Sequence, residues 1–314
     1  SYNNAMAEDK VLQPKDKTLK AFEEGNRLLS EGKYREAIQA FDKALVLDPE
    51  LAQAYNNRGA VYAAEGEPVR AIRDYDQAIA LDPHYARAYN NRGNAYARNE
   101  ELVRAIQDYD KALQLCPDLA QAYNNRGAVY ARRGDPDRAI QDFDKAIQLC
   151  PDYASAYNNR GNVYSDKGEP ARAIQDYDKA IQLDPKHAQA YSNRGNVYSE
   201  KREPDRAIQD YDKAIALASS LAQAYNNRGN AYARNGEPAR AIQDYDKAIH
   251  LDPNDASAYY SRGTAYAQRK ELDMAIRDYD KAIQLCPDYA VAYDSRGNGH
   301  GDKGDLDRAI KDYR

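Results

Sequence analysis

The sequence predicts an all-α solenoid of antiparallel helix pairs, on three observations: a fixed repeat period, regularly spaced helix breakers, and small residues recurring where helices must meet. The motif AYNNRG at Ala54–Gly59 returns around Tyr89, Tyr123, Tyr157 and Tyr225, and as AYSNRG around Tyr191, always at multiples of 34 residues. Degenerate copies stand at Ala21, Tyr259 and Tyr293. A unit this short cannot bury its own apolar face and must stack on its neighbours.

With Ala52 as position 1, repeats begin at Thr18, Ala52, Ala86, Ala120, Ala154, Ala188, Ala222, Ala256 and Ala290; eight are complete and the ninth stops at its position 25, Arg314. The expected organisation is a polar segment over 1–17, in which Met6 behind SYNNA reads as a start codon after a cloning scar, followed by one solenoid over 18–314. An unfinished repeat exposes apolar surface that terminal repeats normally cover, so the chain reads as a fragment of a longer protein.

Within a repeat, positions 1–14 read as one helix and 16–30 as a second. Gly32, Gly66, Gly134, Gly168, Gly236 and Gly304 mark the break at position 15. Pro68, Pro136, Pro170, Pro204 and Pro238 follow at position 17, where a first-turn proline loses no hydrogen bond and the acidic residue before it suits the helix dipole. The second helix stops at Pro49, Pro83, Pro117, Pro151, Pro185, Pro253 and Pro287. The sixth repeat ends instead in Leu217-Ala218-Ser219-Ser220, which predicts a second helix that runs on or a loosened joint.

Packing positions follow the same period. Gly at position 8 (Gly25 through Gly297) and Ala at position 20 (Ala37 through Ala309) occur in all nine copies, and Ala at position 27 in all complete ones. A glycine inside a helix costs about 1 kcal/mol relative to alanine, so its recurrence needs a packing reason. Tyrosines at positions 4, 11 and 24, as in Tyr89, Tyr96 and Tyr109, fill the remaining space with Ile at 21 and Leu at 30, so the aromatics read as core. Arg at position 7 and Asp at 23 and 25, as in Arg58, Asp74 and Asp76, predict a repeated ion pair within or between hairpins.

This pattern resembles the tetratricopeptide repeat family over residues 18–314, with Tyr55, Gly59, Tyr62, Ala71, Tyr75, Ala78 and Pro83 at the family's positions 4, 8, 11, 20, 24, 27 and 32. The resemblance implies a right-handed superhelix whose first helices line a concave groove for protein or peptide, and it leaves the partner open.

Helical spacing puts positions 2, 5, 6, 9, 12 and 13 on one stripe. Position 6 carries Asn57, Asn91, Asn125, Asn159, Asn193 and Asn227; position 5 adds Asn56, Asn90, Asn124, Asn158 and Asn226; position 9 adds Asn94, Asn162, Asn196 and Asn230. Each amide offers a donor and an acceptor, matching a peptide unit. With helical layers on the order of 10 Å apart and an extended chain advancing roughly 3.3–3.6 Å per residue, one asparagine meets about every third residue of a bound strand. The ladder resembles the repeat region of the O-linked N-acetylglucosamine transferases, whose groove asparagines clamp extended polypeptide. Glu23, Ser261 and Ser295 take position 6 at the ends. The alternative is that tandem duplication recopied a solvated polar face.

Selectivity falls to what varies: Arg87 at position 2, and Arg98, Arg132, Asp166, Glu200 and Arg234 at position 13. An acidic stretch followed by a basic one would complement them, against the alternative of ordinary surface charge. No Lys stands at position 5, which disfavours the clamp by which co-chaperones of the family hold a C-terminal carboxylate.

Catalysis finds no support. His84, His187, His250 and His300 fall at four different repeat positions, without metal-ligand spacing, and no phosphate loop or nucleophile motif occurs. Cys116, Cys150 and Cys286 share position 31, one layer or more apart, and read as thiols of a reducing compartment. The expected protein is thus non-enzymatic, without cofactor or metal, and cytoplasmic. Lys+Arg 45 against Asp+Glu 50 disfavours nucleic acid, and no segment is apolar enough to enter a membrane. Three functions stay open: an asparagine-ladder groove for extended polypeptide, a scaffold self-associating through its ends or convex surface, and the targeting arm of a larger enzyme.

Overall fold

The computed structural model describes residues 14–313. The cloning scar expected ahead of Met6 lies outside them. Among the described residues all regular structure is helical, and the chain divides into two compact units that part after Pro151.

The first unit holds four hairpins: α1 (Pro14–Ser30) with α2 (Tyr34–Leu47), α3 (Ala52–Ala64) with α4 (Pro68–Leu81), α5 (Ala86–Arg98) with α6 (Leu102–Leu115), and α7 (Ala120–Arg132) with α8 (Pro136–Leu149). The second holds five: α9 (Ala154–Asp166) with α10 (Pro170–Leu183), α11 (Ala188–Glu200) with α12 (Pro204–Leu217), α13 (Ala222–Arg234) with α14 (Pro238–Leu251), α15 (Ala256–Gln268) with α16 (Leu272–Leu285), and α17 (Ala290–Asp302) with α18 (Leu306–Asp312). First helices after α1 span positions 1–13 and the second helices before α18 span positions 17–30, each slightly shorter than the sequence predicts. The first repeat differs, since α1 begins at Pro14, ahead of Thr18.

The break between paired helices sits at position 15. The six glycines there have φ between 72° and 83°, and Glu100, Arg202 and Lys270 adopt the same left-handed conformation at φ 61°, 59° and 64°. The hairpin therefore imposes this turn even where a β-carbon makes it costly.

The core lies in the seam between one hairpin and the next first helix. Tyr62, Ala71 and Tyr75 pack with Ala95, and Tyr198, Ala207 and Tyr211 with Ala231, so positions 11, 20 and 24 of one repeat meet position 10 of the following one. Position 24 is the most enclosed of the recurrent tyrosines, except at Tyr313, which is exposed; position 4 stays half-buried except at Tyr191. The position-8 glycines accommodate that ring: a β-carbon on Gly93 would stand 2.8 Å from Tyr109 Cε1 and 3.2 Å from the Ala105 carbonyl oxygen.

Arginine at position 7 joins successive hairpins. Arg92 donates through Nε and Nη2 to both oxygens of Asp108 in its own hairpin, each at 2.7 Å, and through Nη1 to Asp76 of the preceding one at 2.7 Å. Arg58 and Arg126 do the same in the first unit, as do Arg194, Arg228, Arg262 and Arg296 in the second. The position-23 carboxylate is buried in Asp74, Asp108, Asp142, Asp176, Asp210, Asp244 and Asp278. Hydrogen bonding to Asp108 is the chief cause that holds the Arg92 guanidinium above its ordinary value. The expected ion pair is thus both within and between hairpins.

The irregular end of the sixth repeat changes nothing in the helix it terminates. α12 stops at Leu217, and Ala218 has φ −144° and ψ 87°, beside −139° and 86° at Cys116. Its N–H reaches the Ala214 carbonyl at 2.9 Å, so the extended residue at position 31 ends the helix without proline or aspartate. The expected run-on is corrected accordingly.

Candidate functional site

The stripe predicted on the first helices separates into a buried and an accessible layer. Asn56, Asn90, Asn124, Asn158 and Asn226, expected on the open face, are only 3–6% exposed, while Asn57, Asn91, Asn125, Asn159, Asn193 and Asn227 are half-buried. Position 5 lies against the following first helix, whose position-6 amide bonds to it, as Asn91 does to Asn56 and Asn125 to Asn90.

The amides bond to one another. In the first unit a directional run passes from Asn125 Nδ2 to Asn90 Oδ1 (3.1 Å), Asn90 to Asn91 (3.3 Å), Asn91 to Asn56 (3.0 Å), Asn56 to Asn57 (2.9 Å) and Asn57 to Asn26 (2.7 Å). It ties α7, α5, α3 and α1 together by side chains alone. In the second unit Asn193 Nδ2 donates to Asn158 and Asn162 at 3.0 and 2.9 Å. Ser192 replaces asparagine at position 5 of the repeat that holds Asn193, and Asn227 donates instead to Asn196 at 2.8 Å. The run lapses at Asn226, whose buried Oδ1 finds no partner because Ser261 stands where the next asparagine would reach it.

Position 9 has a role that sequence reasoning missed. The Oδ1 atoms of Asn94, Asn162, Asn196 and Asn230 accept the hydroxyls of Tyr109, Tyr177, Tyr211 and Tyr245 at 2.7–2.8 Å. Burial, the leading cause, pushes the pKa of each of these phenols above its ordinary value. The sequence carries only a broken signal for it: Ala128 at position 9 accompanies Phe143 at position 24, but Ala60 accompanies Tyr75 and Asn26 accompanies Phe41.

Two equivalent recesses open on the stripe. One lies between α5 and α7, where Asn94, Arg98, Asn125 and Arg132 surround a floor of Ala97, Ala128 and Val129, and holds 290 Å³. The other lies between α11 and α13, with Asn196, Glu200, Asn227, Asn230 and Arg234, and also holds 290 Å³. In the first, Asn94 Nδ2 and Asn125 Oδ1 have no bond to any described residue, so the recess presents one amide donor and one acceptor.

The position-13 side chains are exposed. Arg98 and Arg132 each donate Nη1 to a carbonyl at the end of the preceding first helix, Ala63 at 2.9 Å and Ala97 at 3.0 Å, and Arg234 does so to Ser199 at 3.1 Å. A cation at a helix C-terminus is stabilised by the dipole, and the carbonyl orients the guanidinium without neutralising it. Arg132 also donates to Glu100 at 2.7 Å. Arg87 is exposed at the start of α5; Asp166 and Glu200 are exposed at the ends of α9 and α11. Among the described residues no helix is long and apolar enough to cross a membrane.

Family models described as "Tetratricopeptide repeat" match residues 84–152, 118–186 and 152–220, and residues 52–85, 222–255 and 256–289; one described as "TPR repeat" matches 25–66. Among solved structures the chain is similar to one described as the APC/C hetero-tetramer Cut9-Hcn1, with 19% identity and a TM-score of 0.73 over 85% of this chain and 52% of that one. It is similar also to pilF of Pseudomonas aeruginosa (24% identity, TM-score 0.57, 66% of this chain and 94% of that one). A tetratricopeptide repeat protein from Parabacteroides merdae matches at 21% identity and a TM-score of 0.59, over 82% and 98% of the two chains. At these identities the likeness is one of fold. No curated protein matches the chain significantly.

Proposed function

Because the chain belongs to the tetratricopeptide repeat family, whose arrays serve as protein-interaction modules, we propose that its first helices bind an extended polypeptide segment by its backbone. One observation carries the proposal: the recess between α5 and α7 offers an amide donor on Asn94 and an acceptor on Asn125, the two groups a peptide unit requires.

The proposed mechanism divides the asparagines by layer. The position-5 residues hold neighbouring first helices in register, and positions 6 and 9 meet the ligand with whatever hydrogen-bonding capacity the internal run leaves over. Each contact nets about 0.5–1.5 kcal/mol, and ordering the peptide consumes part of the sum. Backbone contacts alone therefore give weak, tolerant binding.

Selection of a random peptide display library on the full chain, followed by hydrogen exchange of a selected complex, tests this. Protection of α5 and α7 or of α11 and α13, lost for α5 and α7 in Ala128→Leu, which fills the first recess, is the expected result. No enrichment, or protection confined to second helices, would overturn it.

A second reading, self-association, draws on exposed Leu306 and Ile310 of α18 and Tyr313 just after it. Opposing a head-to-tail mode, α1 carries Lys20, Glu24 and Arg27 at positions 3, 7 and 10, where Ala54, Arg58 and Val61 meet the preceding hairpin. Sedimentation across a concentration series decides: a constant monomer mass removes this reading.

A further inference from the structure

The geometry points to the recess between α5 and α7 as a receptor for a carboxylate side chain, so that the first unit takes an acidic segment of extended polypeptide. This inference rests on the peptide-binding reading above and adds the ligand's side-chain chemistry.

Arg98 and Arg132 flank the recess, each oriented by a helix-terminal carbonyl. A guanidinium has five N–H donors, so one bond to a carbonyl leaves most of its capacity for an anion. Arg98 pairs with no carboxylate among the described residues. Arg132 holds Glu100, whose side chain is 77% exposed, so an incoming acid would exchange with a solvated carboxylate already bonded to the same nitrogen. Between the arginines, Ala97, Ala128 and Val129 give an apolar floor suited to the methylenes of Asp or Glu. Arg87 adds a third exposed cation on α5.

The second unit supplies an internal contrast. Its equivalent recess has the same volume, but Glu200 stands in the place of Arg98, opposite Arg234, and Ser199 and Asn230 take the places of Ala97 and Ala128. The first recess is flanked by two guanidiniums, of which Arg132 is paired with Glu100, and the second by one guanidinium and one carboxylate, with Arg202 at the repeat position of Glu100. The first recess thus keeps Arg98, without a carboxylate partner among the described residues, over an apolar floor, and the second presents a carboxylate at that place over a polar one.

The test uses the full chain and two fluorescent peptides of alternating alanine and serine, one carrying a central Glu-Glu pair and the other Gln-Gln. The Glu peptide should bind about tenfold tighter, the value of one charge-assisted bond over its neutral counterpart. Arg98→Gln should remove the difference; Glu100→Gln should tighten the Glu peptide; Arg73→Gln, an exposed arginine outside the recess, should change neither. Equal affinity for both peptides would overturn the acid receptor and leave backbone binding standing. Discrimination reduced equally by Arg73→Gln would overturn it in favour of diffuse charge. No binding of either peptide would overturn the underlying reading as well.

Discussion

Asn91 donates its side-chain amide to Asn56 Oδ1 at 3.0 Å, bridging two first helices whose backbones make no hydrogen bond to each other. Because Asn56 is buried and itself donates to Asn57, this bond is one link in a satisfied network and not a surface decoration. A half-satisfied buried network is costly, so its members should behave as structural residues.

Asn56→Ala removes one donor and one acceptor from the run and should cost about 1–3 kcal/mol, read from the shift of the urea midpoint. Asn57→Ala, one position along and half-buried, should cost less. Equal losses would mean that the layering has no energetic weight.

Ser261→Asn should stabilise the second unit by up to about 1.5 kcal/mol, because it supplies the missing donor for Asn226 Oδ1. A pair of thermal melts, wild type against variant, suffices, and Asn226→Ala in the same background should abolish the gain.

Lys270 and Arg202 occupy the left-handed turn that glycine fills in six other repeats. Removing the β-carbon relieves roughly 1–2 kcal/mol of strain, offset in part by the greater freedom of glycine in the unfolded chain. Lys270→Gly and Arg202→Gly should each raise the melting temperature by a few degrees, with no change in helicity.

The opposite substitution at position 8 should fail. Gly93→Ala sets a methyl group against both the Tyr109 ring and the Ala105 carbonyl, two groups fixed by their own helix. The overpacking cost, about 1–3 kcal/mol, exceeds the helix-propensity gain of about 1 kcal/mol, and a denaturant titration will show which prevails.

Alkaline pH should unfold the array. The buried phenols of Tyr75, Tyr109, Tyr177, Tyr211 and Tyr245 titrate above the ordinary tyrosine value, burial being the first cause. A raised folded-state value gives stability that is fully present below the unfolded phenol's value, near about 10, and lost as the pH rises through the folded one. Tyrosinate absorbance should therefore appear in two phases, the exposed rings first and the buried ones together with loss of helicity.

The sequence by itself determined the period, the helix pairs, the position-15 break and the Arg–Asp staple, because each depends on spacing along the chain or on the conformational limits of glycine and proline. Arg92 and Asp108, sixteen residues apart, could be matched on paper since any antiparallel hairpin of this length brings them together. The end of α12 was misread because proline and aspartate were taken for the stop, when the extended residue at position 31 supplies it. Only the tertiary structure decided which asparagines are buried and which stay half-exposed. Positions 5 and 6 differ by about 100° around the helix axis, so a modest rotation of the first helix exchanges their environments. That rotation is set by the fit of the position-10 side chain against the preceding hairpin and of the position-8 glycine against the position-24 ring of its own, a packing quantity with no signature in a repeat that is asparagine at both places.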